Sequence, residues 1–189
     1  QLDLSGSVSA DSFADLTKIV ENNQVTFGDQ YTWSSYNPTT RKVIYTQKAD
    51  KLTIMDGSSQ IIFTINANDQ VVSYEQIYAG SVQVLGKERE LITAQKAVEI
   101  LYLAGRISSK ATVQSVKLSY YQSLVLKDFS IYSPAWYIEI RQADGQLIAR
   151  RVDAIHGTVL ANETLETTNT QTQRTTTNNT TTTQSVQQQ

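Results

Sequence analysis

Three features of the 189-residue sequence predict an α+β protein of two lobes, each a helix laid against an antiparallel sheet, followed by a disordered tail. First, an amphipathic helical stretch is followed by a train of short segments rich in β-branched and aromatic residues. Second, that order runs twice, with the mixed-charge run "GKERE" (Gly86 to Glu90) between the two rounds as a solvated connection. Third, from Glu163 onward the chain is almost entirely Thr, Asn and Gln, which cannot bury enough apolar surface to offset the entropy of ordering. The lobes are therefore read as residues 1–86 and 87–162, and the tail as 163–189.

In the first lobe, "ADSFADLTKIVENN" sets Phe13, Leu16, Ile19 and Val20 at helical spacing, with Asp11 or Ser12 available as N-cap. The segments "QYTWSSY", "RKVIYTQ", "KLTIMD", "QIIFTIN" and "QVVSYEQIY" then read as strands of an antiparallel meander. Asn37-Pro38, Asp56-Gly57 and Asn68-Asp69 break the chain between them. Ile61, Phe63 and Ile65 alternate onto one face.

The second lobe opens with the stronger helix, "ITAQKAVEILYLAGRI". Thr93 is placed to cap it, Ala94, Ala97, Val98, Leu101 and Ala104 line one face, and Gly105 stands where a left-handed C-cap residue belongs. The strand "TVQSVKLSYYQ" follows, then the connection "SLVLKDFSIY", then "SPAWYIEIRQADG". Here Pro134 precedes a strand whose Trp136, Ile138 and Ile140 share one face and whose Tyr137, Glu139 and Arg141 share the other. Asp144-Gly145 suits a two-residue hairpin turn returning through "QLIARRVDA". "DAIHGTV" reads as a tight turn before a last short strand.

The chemistry of the composition is mostly exclusion. A net charge of -2 gives no basic field to hold nucleic acid. Cysteine is absent and His156 is the single histidine, so a zinc site of histidine and cysteine ligands is excluded, and no metal or other cofactor is predicted. No apolar run approaches the roughly 20 residues that cross a bilayer. The chain begins at Gln1 without a signal pattern, and a membrane anchor upstream is expected to lie outside this sequence.

Neither Ser58 after Gly57 nor Ser81 after Gly80 lies in a nucleophile-elbow motif, and any serine triad would have to use His156, which reads instead as a turn residue. Glu75 and Glu139 are the acids worth naming for paired-carboxylate catalysis, and both sit in alternating strand patterns as outward residues. No phosphate-binding glycine loop occurs. No catalytic residue is predicted. Tyrosine is conspicuous at Tyr74, Tyr78, Tyr120 and Tyr121, the composition of a binding face as well as of strands. Asn162, Asn178 and Asn179 fall in glycosylation-type triplets, which a Thr-rich tract produces by chance.

Taken in order, "FGDQYTW", "VSYEQIY", "AVEILY", "LSYYQS", "SPAWYIEI" and "VDAIHGTVL" resemble the extracytoplasmic domain of the YycI family over roughly Phe27 to Leu160. The resemblance implies a regulator without enzymatic activity, anchored by one N-terminal membrane helix and acting outside the cytoplasmic membrane of Gram-positive bacteria. Its implied partners are the related protein YycH and the sensor histidine kinase YycG, also called WalK, of a two-component system governing cell-wall metabolism. The ending also resembles a PepSY-like unit, with Asp153, Ala154 and Gly157 in the matching positions. The Thr/Asn/Gln tail departs from the family pattern. The family has no short motif for kinase contact, so no individual partner-binding residue is carried over. A ligand-binding module for a wall fragment, lipid or peptide, and a PepSY-like inhibitor of a secreted hydrolase, are the alternatives.

Overall fold

The computed structural model describes residues 13–161 apart from 23, 69, 84 and 87. The predicted caps Asp11 and Ser12, the turn residue Asp69, and the tail with Asn162, Asn178 and Asn179 lie outside the described residues. Among the described residues the fold is α+β, with two α-helices and two antiparallel sheets, and no helix there is long and apolar enough to cross a membrane.

Helix α1 (Ala14–Glu21) buries Leu16 and Val20, one turn apart, against the first sheet. The residue in its N-cap position is Phe13, which has no side-chain acceptor and spends its ring on Trp33 and Tyr36, with centroids 6.2 and 5.1 Å away. A 3₁₀ turn at Gly28–Gln30 then brings the chain under the helix. A Cβ on Gly28 would fall 2.0 Å from the Val20 carbonyl oxygen, so only glycine permits this approach.

The first sheet has the order β1-β2-β4-β5, from β1 (Tyr31–Asn37), β2 (Lys42–Ala49), β4 (Gln60–Ile65) and β5 (Val71–Ile77). The face toward α1 carries Tyr31, Val43, Tyr45, Ile61, Phe63 and Ile65, the alternation expected of "IIFTI". Tyr45 keeps its hydroxyl satisfied at 2.9 Å from Thr17 Oγ1. The meander is interrupted at β3, which is only Leu52–Thr53 and turns back on the end of β2. Ile54 N–H still bonds the Gln47 carbonyl of β2 at 2.9 Å, but Ile54 also bridges Tyr120 of the second sheet, and from Met55 the chain bonds that sheet. The expected strand "KLTIMD" is therefore a two-residue strand followed by a bridge between the two sheets.

Helix α2 (Ala94–Leu103) follows its prediction closely. Thr93 Oγ1 accepts the Lys96 N–H at 3.1 Å, and Gly105 at φ +67° ends the helix, with Gly105 N–H bonding Tyr102 O and Arg106 N–H bonding Leu101 O. Ala97 and Leu101 pack on Ile138, Ile140 and Val152 of the second sheet, whose order is β6-β7-β8.

Three expectations for that sheet need correction. Strand β6 (Thr112–Val125) runs on through Ser123–Val125, and β7 (Ser130–Arg141) starts four residues before Pro134, so "SLVLKDFSIY" is a hairpin and not a connection. The Asp144-Gly145 turn closes between Gln142 and Gln146, a three-residue loop with Gly145 in the left-handed region (φ +86°). Pro134 stands inside the central strand, paired with Tyr120, and the structure shows why this is harmless. Its carbonyl accepts the Ala154 N–H at 3.0 Å, and the carbonyl of Ala154, which would otherwise take the missing proline N–H, accepts the Ile92 N–H at 2.8 Å. Trp136 Nε1 donates to the Ile92 carbonyl at 2.9 Å. The proline and tryptophan together dock the start of α2 onto the sheet.

Candidate functional site

The turn after β8 (Leu147–Asp153) is organised by one carboxylate. Asp153 Oδ1 accepts the N–H groups of Ile155 (2.8 Å) and His156 (2.7 Å), and Oδ2 accepts the Tyr121 hydroxyl (2.8 Å). Burial alone would raise the carboxyl's affinity for a proton, but the His156 backbone N–H, the Tyr121 hydroxyl and the other donors outweigh it and hold Asp153 below the usual carboxylate range. Tyr121 is pushed up to about 12 by burial and by the bond to this anion. His156 Nδ1 lies 3.2 Å from Asp153 Oδ1, while the ring is 71% exposed. The histidine is a turn residue, as its place before Gly157 predicts.

The acids singled out in the sequence are separated. Glu75 is exposed on β5 of the first sheet. Glu139 is half-buried in the second, where it accepts the Ser115 hydroxyl. Among the described residues there is no group of three or more His, Cys, Asp or Glu that could hold a metal ion. Ser58 donates to Asp56 and also reaches the Tyr132 hydroxyl at 3.4 Å, so it is a turn and junction residue.

Where the lobes meet, the segment after β3 lies along β6. Met55 N–H donates to the Tyr120 carbonyl (3.0 Å), Arg151 Nε donates to the Met55 carbonyl (3.0 Å), and Asp56 Oδ2 accepts the Gln122 N–H. Ile54 is fully buried there. The guanidinium of Arg151 also stands 5.9 Å over the ring of Tyr137, which is only 4% exposed. The face of β7 expected to be outward is covered at this end.

The tyrosines divide accordingly. Tyr120 and Tyr121 serve the junction and the Asp153 turn, and Tyr78 stacks on Phe27 at 4.4 Å and bonds Gln30. Tyr74 remains partly exposed on the edge strand β5 beside Val72 and Ile77. A more prominent apolar surface is the tip of the β6–β7 hairpin, where Leu124, Val125, Leu126 and Phe129 are all 42% or more exposed around Lys127 and Asp128. Its signal in the sequence is the run Leu124-Val125-Leu126, which breaks alternation where no core lies beneath. Two grooves, of about 410 and 320 Å³, are wide open to solvent and do not enclose a ligand.

These features define an α+β protein of two helix-backed antiparallel sheets joined edge to loop, with exposed apolar surfaces at a hairpin tip and a sheet edge. No curated protein matches the chain. The family model described as YycI protein matches residues 3–155, and the chain belongs to that family. Membership points to regulation of the YycG/WalK two-component system.

Proposed function

We propose that this chain is the extracytoplasmic part of a membrane-anchored, non-catalytic regulator that acts on the YycG/WalK kinase through protein contacts with the kinase and a YycH-like protein. Family membership over residues 3–155 carries this reading. The exposed hairpin tip supports it, because soluble proteins seldom leave such apolar side chains in water without a partner for them. Residues 1–86 and 87–162 act as two lobes, the second being the PepSY-like unit of α2, three antiparallel strands and the Asp153 turn.

The mechanism is a population shift. A regulator that prefers one kinase conformation biases signalling without a reaction, and a tenfold bias needs only about 1.4 kcal/mol of differential affinity. Burying one large apolar side chain is worth about 1.5–3 kcal/mol, so a hairpin tip engaged in one kinase state alone suffices. Anchoring beside its partners raises the effective concentration, so the soluble affinity can be low.

Site-specific photocrosslinking in cells from Lys127 at the tip, with Tyr78 and Tyr121 as comparison positions, tests this. Adducts from Lys127 to the YycH-like protein or the kinase are expected, with fewer from Tyr121, whose hydroxyl is committed to Asp153. Adducts only to a secreted hydrolase would replace this reading with the inhibitor alternative.

A further inference from the structure

The two edges of the first sheet are defended differently. At β1 the backbone bulges between Trp33 and Ser35, and Phe13 lies over Trp33 and Tyr36. The opposite edge, β5, reads "VVSYEQI", with no lysine, arginine or proline along it. It is irregular only at Val72 and runs regularly from Ser73 to Ile77. Among the described residues no strand pairs with its outer side. Only Val71 is buried, and Val72 through Glu75 are exposed whichever face they occupy. The aromatic row of the core runs out into this edge, from Tyr45 to Phe63 (5.8 Å) to Tyr74 (5.7 Å), and the last residue is left 36% exposed.

The phase of the hydrogen bonds tells which main-chain groups this edge offers. Ile65 N–H donates to the Arg41 carbonyl (2.9 Å) and Gln47 N–H to the Ser59 carbonyl (3.4 Å), so the odd-numbered residues along β4 bond β2. Gln60, Ile62 and Thr64 then bond β5 through Ile77, Glu75 and Ser73. The N–H and C=O groups of Tyr74 and Gln76 therefore point away from the sheet, with Glu75 between them. A second copy of this chain fits that edge poorly. Antiparallel self-pairing with its twofold axis at Glu75 sets two carboxylates directly opposite each other. Moved to Tyr74, the axis calls on Val72, which has no partner in the ladder to β4; moved to Gln76, it sends Tyr74 past Ile77, where the other copy's strand has ended. A strand of different sequence, with a cation opposite Glu75, has none of these faults.

We infer that β5 accepts an extended, antiparallel segment of a partner protein as an added strand, with a basic side chain opposite Glu75 and an apolar one beside Tyr74. Main-chain bonds to Tyr74 and Gln76 supply the affinity, and the two side chains supply the choice. Glu75 lies at a position without hydrogen bonds to the added strand, where side chains across an antiparallel ladder stand closest. The apolar side chain completes the row that Phe63 and Tyr74 leave open. The inference is independent of the hairpin tip and of which protein supplies the strand.

The test is amide NMR of the full 189-residue chain, following Tyr74 and Gln76 during titration with acetylated, amidated Thr-Val-Lys-Val-Thr. Both signals should shift saturably, and both amides should exchange more slowly. The same peptide N-methylated at its two valines, and so unable to donate, should do neither. Gln76→Pro removes an outward donor without touching the ladder to β4, and should weaken the peptide about fivefold or more. Glu75→Lys, at an exposed position where folding is not at stake, should weaken it about fivefold and turn the preference toward Thr-Val-Glu-Val-Thr. No saturable shift, an equal response to the methylated peptide, or an affinity unchanged by either variant would each overturn the assignment. Shifts at Tyr74 and Gln76 that follow the concentration of the chain without peptide would overturn it in favour of a second copy.

Discussion

In the first sheet the face away from α1 leaves Ile44 and Ile62 only half-buried beside Ser73 and Glu75, whereas in the second the face away from α2 buries Ala135 and Ser119 completely and leaves Tyr137 4% exposed. Both sheets are antiparallel and both have one helix over one face. The difference comes from three residues, Ile54 to Asp56, that follow β3 and lie against β6 of the second sheet. An antiparallel sheet tolerates one wet face, so the first lobe needs no second cover. The second sheet takes part of its cover from the segment that follows β3.

Substitution of equivalent isoleucines should separate the two situations most widely. Ile54→Ala, at a fully buried junction site, is expected to cost about 2–5 kcal/mol, and Ile62→Ala, on the open face, less than about 1.5 kcal/mol. Denaturant unfolding measures both. Equal costs would mean that the lobes do not lean on each other in solution.

A smaller effect is expected from Asp153→Asn, which weakens the bonds organising the turn at the covered end of the second sheet. About 1–3 kcal/mol should be lost at neutral pH. The carboxyl is held below its usual value in the folded state, so its contribution is complete above the unfolded value of about 3.9 and disappears as pH falls through the lower folded value. The gap between wild type and variant should therefore close in acid, and a gap that stays constant would remove Asp153 from this role. Tyr121, raised to about 12, acts in the opposite direction, with stability intact below about pH 10 and lost as pH rises through the folded value.

The smallest change expected is at the helix side of the same sheet. Trp136→Phe keeps the ring but drops the bond to the Ile92 carbonyl, for about 0.5–1.5 kcal/mol, and should speed hydrogen exchange at the Ile92 amide without affecting the junction amide of Gln122. Faster exchange at both would tie the two faces together more tightly than the packing suggests.

Much of this was readable beforehand. Helix α2 carried its own start in Thr93, its own stop in Gly105 and its buried stripe in Ala97 and Leu101, all local signals. The alternation of Ile61, Phe63 and Ile65 and of Trp136, Ile138 and Ile140 assigned their inward faces correctly. Local signals failed where one residue answered to two elements. Pro134 reads as standing just ahead of a strand because proline lacks a donor, and only the position of Ile92 shows that the acceptor it leaves free, the Ala154 carbonyl, is satisfied with Pro134 inside the strand. "KLTIMD" has strand composition, yet Ile54 and Met55 pair with Tyr120, far away in the chain. "SLVLKDFSIY" reads as a connection, yet its Leu124, Val125 and Leu126 crown an exposed hairpin.

The sequence alone therefore determined the class of fold, the two helices, most strand faces, the turn character of His156 and the family. Each rests on spacing within a few residues, or on an ordered set of such segments. Tertiary structure alone decided that the two sheets share a junction, that Tyr121 and Asp153 form one bonded unit, and that Arg150 lines a groove with its Nε buried and, among the described residues, without an acceptor. Those arrangements join residues far apart in the chain, and neither hydrophobic period nor capping chemistry carries information across such distances.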